Sequence, residues 1–189
     1  WPIIDRSVRQ EAARISSQNM AASGLTSTTD AFGTRDDLIA YQDARRNNQL
    51  HFRVSFMPKA GSEIFDGLKT AGIGSGYGDE MIRIGAVKYS ADGSASERTM
   101  SMSTPYQGKP NDFGILTMTQ DEIYEAVDDA VAHDFRVGIH ANGDVAINMV
   151  LNAYEKVLKN HKGVNPRHRI EHCSLVNDEL LGRIKAAGV

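Results

Sequence analysis

Apolar and polar positions recur along this chain with two periods, and each change of period marks an element. Over residues 5–22, Val8, Ala12, Ile15 and Met20 fall at roughly helical spacing, and Gly24 follows as a stop. "LTSTTDA" is β-branched and bounded by Gly24 and Gly33, which predicts a strand. A second helix is expected over 35–47, with Thr34 as N-cap and Asp36 and Asp37 in its first turn. "HFRVSFMP" (51–58) predicts a strand stopped by Pro58, and a short helix is expected over Glu63–Thr70. "IRIGAVKYS" (82–90) reads as one strand, followed by a long irregular excursion over 91–118.

Beyond the excursion the pattern sharpens. Thr119 and Glu122 form a capping box ahead of the stripe Ile123, Ala126, Val127, Ala130 and Val131. "FRVGIH" (135–140) predicts a strand, and Asp144 the cap of a helix carrying Ile147, Val150, Leu151, Tyr154, Val157 and Leu158. Gly143 is expected to let the chain turn sharply between them. "RHRIEHC" (167–173) is the last strand, and Asn177 caps a last helix through Ala187. One helix followed by five strands, most with a helix behind them, is the signature of α/β crossover units and a parallel sheet. An open doubly wound sheet and a (β/α)8 barrel both fit. "GIGSGYG" lacks a strand directly before it and a helix directly after it, so it is a weak phosphate-loop candidate. The absence of a dinucleotide fingerprint favours the barrel. A full barrel has eight strands and about 250 residues, so an incomplete TIM barrel is expected here.

Composition narrows the function. Hydrophobic residues make up 41% and charged residues 24%, as in a globular domain. A net charge of -3 and a pI near 6.1 argue against a nucleic-acid partner. No apolar run is long enough to span a membrane, and one cysteine, Cys173, excludes an internal disulfide. A cytoplasmic location fits that usage. The chain opens on "WPIIDRS" and closes on "IKAAGV", so both ends are expected to be cuts within a larger protein.

In either architecture the active site lies at the carboxyl ends of the strands. Three successive strands deliver Lys88, His140 and His172 there. Ile84, Ala86 and Lys88 are expected to share one face, and His168, Ile170 and His172 another. Two imidazoles on neighbouring strands suit a first-row metal. A lysine among aliphatic residues must be neutral, paired or modified, and a neutral amine can add carbon dioxide to become a carboxylate-like ligand. Taken singly, a strand-end histidine is more often a rim or core residue and a strand lysine more often snorkels to water. His168 is expected to be of that structural kind.

"GLTSTTDA", "IGAVKYSADGSASERT", "IHANGD", "LNAYEKV" and "RHRIEHC" occur in the order found in the amidohydrolase superfamily. The chain resembles its amidohydrolase-3 branch, of deformylase-like and related metal-dependent hydrolases, from about Gly24 to Val189. The resemblance implies strands two to six of a (β/α)8 barrel. It makes Lys88 the fourth-strand lysine, commonly carboxylated, and His140 and His172 metal ligands. Asp92, Arg98 and Asn142 then fall in loops facing a small-molecule substrate. The implied cofactor is one or two divalent metals, zinc foremost, with a carbon dioxide adduct on Lys88. The implied reaction is hydrolysis of an amide-type C–N bond by metal-activated water.

The family's first-strand His-x-His pair is not in these residues, and its eighth-strand aspartate, strands seven and eight, and small β-sandwich would lie outside them. Ser96-Glu97 stands where the family pattern has a Gly-Ser-like pair, so substrate preference does not carry over. The 189 residues alone are accordingly expected to be inactive and, with open sheet edges, to form homo-oligomers. Two other readings remain: a Schiff-base lysine aldolase or lyase using Lys88, and a non-catalytic barrel remnant.

Overall fold

A computed structural model describes residues 4–160 and 167–189, which fall into two compact units, Trp1–Val87 and Lys88–Val189. The first unit runs α1 (Arg6–Ala22), β1 (Ser27–Gly33), α2 (Arg35–Arg46), β2 (Arg53–Pro58), α3 (Glu63–Thr70) and β3 (Ile82–Ile84). Its strands form a parallel sheet in the order β1-β2-β3. The central strand β2 carries the core residues Val54, Phe56 and Met57, as expected for a strand covered on both faces. The edge strand β1 is largely exposed. Thr34 starts α2 as predicted: its hydroxyl accepts from the Asp37 amide, and the Asp37 carboxylate accepts from the Thr34 amide. Arg6 grips Asp43 through two hydrogen bonds of 2.6 and 2.7 Å and ties α1 to α2.

The predicted strand 82–90 is broken. It yields β3 and, after Gly85 and Ala86, β4 (Val87–Ser90), which belongs to a different sheet. Gly85 sits so close to β2 that a Cβ there would lie 2.6 Å from Ser55 Oγ and 3.2 Å from the Phe56 carbonyl oxygen. Its amide donates to that same carbonyl. Six strands are therefore described rather than five.

The second unit continues from β4 through α4 (Gln120–Ala132), β5 (Val137–Ala141), α5 (Asp144–Asn160), β6 (Arg169–His172) and α6 (Asp178–Ala187). Its sheet has the order β4-β5-β6, with β5 and β6 parallel. The Thr119–Glu122 capping box opens α4, and the Asn177 side chain accepts from the Leu180 amide to cap α6. Helix α5 buries Ile147, Val150, Leu151, Tyr154 and Val157, the predicted stripe apart from Leu158. Tyr154, fully buried, donates its hydroxyl to the Arg169 carbonyl at 2.8 Å, locking α5 onto β6.

Two local expectations at the start of α5 are corrected. Asp144 is the first helical residue rather than the cap, and its carboxylate accepts from the amide and hydroxyl of Ser103. Gly143 is required by contact rather than by a sharp turn, since a Cβ there would run into the Ser101 backbone. No helix among the described residues is long and apolar enough to cross a membrane.

Candidate metal centre

Lys88 and His140 lie within the adjacent strands β4 and β5, and His172 is the last residue of β6, so the second unit alone brings the three together. The rings of His140 and His172 meet edge to face, with centroids 4.5 Å apart and planes at 73°. Strand register does not by itself explain this meeting. His140 is paired with Glu171, and His172 with Ala141, so an unbroken β6 would turn His172 to the opposite face. But His172 and Cys173 both adopt left-handed backbone angles, φ 75° and 51°. Alternation ends there, and the His172 ring packs on His140 instead of following its register partner.

Nε2 of His140 lies 2.8 Å from the Gly93 carbonyl oxygen, 3.5 Å from Asp92 Oδ1 and 3.0 Å from Asn142 Nδ2. Asn142 Nδ2 donates to the same Gly93 oxygen at 2.9 Å, and Ser174 donates its hydroxyl to Asn142 Oδ1. Neither ring nitrogen of His172, nor Nδ1 of His140, has a hydrogen-bond partner among the described residues. His172 is held below the usual histidine range by burial first and then by the positive charges of His140 and Lys88, with Glu171 and Asp92 opposing.

Lys88 is only 3% exposed, and its ammonium donates to the Tyr89 carbonyl. Burial pushes it down to about 8, against the pull of Glu171. About a tenth to a fifth of the amine is thus neutral between pH 7 and 7.4, far more than for an ordinary lysine, and able to act as a base or nucleophile. Two imidazoles with open lone pairs beside a partly neutral lysine fit a divalent metal of the zinc type. No group of three His, Cys, Asp or Glu side chains with that capacity occurs among the described residues.

The three loop residues expected to face substrate take different places. Arg98 is exposed, with φ 54°. Asn142 is 4% exposed and has both ends of its amide engaged. The Asp92 side chain is fully buried and accepts from three backbone amides: Ser101 at 3.0 Å, Asn142 at 2.9 Å and Gly143 at 2.8 Å. Sequence reasoning missed Glu171, which acts on Lys88 and His172 while paired with Arg169. It also missed the Gly93 carbonyl, since a backbone acceptor leaves no side-chain signal. His168 is the structural residue expected. It is stacked on Tyr154 at 4.7 Å, and its Nδ1 accepts from the Val137 amide.

Comparison with known proteins finds an amidohydrolase and metal-dependent hydrolases among those similar to this chain. The chain is 34% identical over 103 residues to the putative amidohydrolase YtcJ of Bacillus subtilis (strain 168), covering 54% of this chain and 19% of that protein. The structure matches an uncharacterized metal-dependent hydrolase from Pyrococcus furiosus at 29% identity and TM-score 0.86, over 99% of this chain and 38% of the other. Its counterpart from Pyrococcus horikoshii OT3 matches at 27% and 0.86, over 98% and 36%. The chain thus spans about a fifth of the named relative and little more than a third of either solved structure. The model of the amidohydrolase family matches residues 5–189, and the chain belongs to that family, in its amidohydrolase-3 branch.

Proposed function

We propose that this chain carries the middle of the active site of a metal-dependent hydrolase acting on amide-type C–N bonds, with Lys88, His140 and His172 as metal ligands. The observation that carries the proposal is the meeting of the His140 and His172 rings at 4.5 Å, with open ring nitrogens, at the ends of β5 and β6. The family match and the two metal-dependent hydrolase structures support it. On this reading β1 to β6 belong to a (β/α)8 barrel. Its remaining strands, an accessory β-sandwich and the acceptor for the water proton come from residues outside these 189, which alone do not turn over substrate.

Lys88, His140 and His172 would hold a divalent metal, whose chemistry there would be to lower the pKa of a bound water to about 7 and to polarise the scissile carbonyl. The chain's own residues prepare for that. The Gly93 carbonyl holds a proton on His140 Nε2 and so leaves Nδ1 as the lone-pair nitrogen. Lys88, near 8, has the neutral amine that carbon dioxide requires; as its lone pair forms the N–C bond, one C=O π pair would move to oxygen and an amine proton would pass to solvent, giving a carbamate. Metal analysis by plasma mass spectrometry is expected to find near-stoichiometric zinc, iron or manganese in the purified protein and at least tenfold weaker binding in Lys88→Met. Metal retained at full affinity in that variant would remove Lys88 from the ligand set.

The depressed Lys88 also favours a second reading, a Schiff-base lysine attacking a carbonyl substrate. Borohydride trapping of a carbonyl compound on Lys88, without metal dependence, would decide for it.

A further inference from the structure

The buried carboxylate of Asp92 has no place in the chemistry above, and a residue facing substrate would not be sealed from water behind three amide donors. We propose instead that Asp92 is a positioning residue that sets the tautomer of His140. Its Oδ2 accepts from Ser101 and Gly143 and its Oδ1 from Asn142, so one side chain clamps the loop after β4 to the loop after β5. Gly93, the next residue, is thereby held with its carbonyl oxygen 2.8 Å from His140 Nε2.

Three neighbours of Nε2 decide where the imidazole proton sits. The Gly93 oxygen at 2.8 Å can only accept, and the Asp92 carboxylate at 3.5 Å adds negative potential. Asn142 Nδ2 at 3.0 Å has two N–H bonds, but separations of 2.9, 2.8 and 3.0 Å set the Gly93 oxygen and Nε2 about 60° apart as seen from it. With one N–H given to Gly93 the second, about 120° away, points off Nε2, while Ser174 fixes the other end of that amide. A bare lone pair on Nε2 would face the Gly93 lone pairs at hydrogen-bond distance, so the proton belongs on Nε2. Nδ1 is then the ligand nitrogen. The clamp admits no slack: a Cβ on Gly143 would collide with Ser101, and one on Gly93 would collide with Thr99.

The tautomer stands on this geometry alone, and its use as preparation for a metal rests on the function proposed above. The test is long-range proton–nitrogen NMR on the metal-free protein labelled with ¹⁵N at histidine, the His140 signals being identified by loss in His140→Gln. The wild type is expected to show His140 wholly as the Nε2–H form. Asp92→Asn, which turns an amide donor onto the clamped amides, is expected to give a mixture of tautomers and about tenfold weaker zinc binding. A mixed or Nδ1–H His140 in the wild type overturns the proposal, whether or not the variant folds. So does a folded Asp92→Asn protein with an unchanged tautomer, even if it binds zinc less well. Pure Nε2–H in a wild type that binds no zinc would uphold the clamp and overturn the metal site; zinc binding with mixed tautomers would do the reverse.

Discussion

His168 shows how one side chain can make the stability of this unit depend on pH. It is 3% exposed, and burial, with the Arg136 charge adding, pushes it down to about 4 from an ordinary 6.5. The unfolded chain therefore binds a proton that the folded chain refuses. The stabilisation is whole above pH 6.5 and drains as pH falls towards 4, by up to about 1.4 kcal/mol per pH unit. In urea titrations His168→Phe should flatten this slope; a slope like the wild type's would mean that other groups carry it. At neutral pH the variant leaves the Val137 amide unpaired but removes an Nε2 that has no partner among the described residues. The two changes oppose, so a net loss below about 2 kcal/mol is expected.

The helices were the most legible elements, because capping is written in adjacent residues. Thr34, Thr119 and Asn177 start their helices as read, and α3 spans the expected residues. Thr119→Ala should cost about 1 kcal/mol in thermal unfolding, with little effect on zinc binding, since α4 supplies no candidate ligand. A loss near zero would mean that burial of Ile123, Val127 and Ala130 alone fixes where α4 begins. Strands were less legible where distant backbone intervened. Nothing within "IRIGAVKYS" announces that β2 will crowd Gly85 and split the run. Of the candidate site, Lys88, His140 and His172 were readable as polar residues closing apolar runs. Glu171, the Gly93 acceptor and the left-handed break at His172 were not, because each depends on register or on backbone angle.

At the scale of the molecule, the sheet order leaves β1 with β2 as its one partner among the described strands. Unpaired strand edges recruit other chains, so these 189 residues are expected to self-associate at micromolar concentration. A clean monomer by light scattering would contradict this. A last consequence follows from the two left-handed residues that end β6. Side chains held in that conformation cost on the order of 1 kcal/mol each, which a glycine would not incur. A sequence refined for thermal endurance alone would drift to glycine at Cys173, gaining stability while loosening the hinge that turns His172 towards His140. Tolerance for change at these two positions is therefore a sensitive gauge of whether a descendant of this chain still works or merely folds.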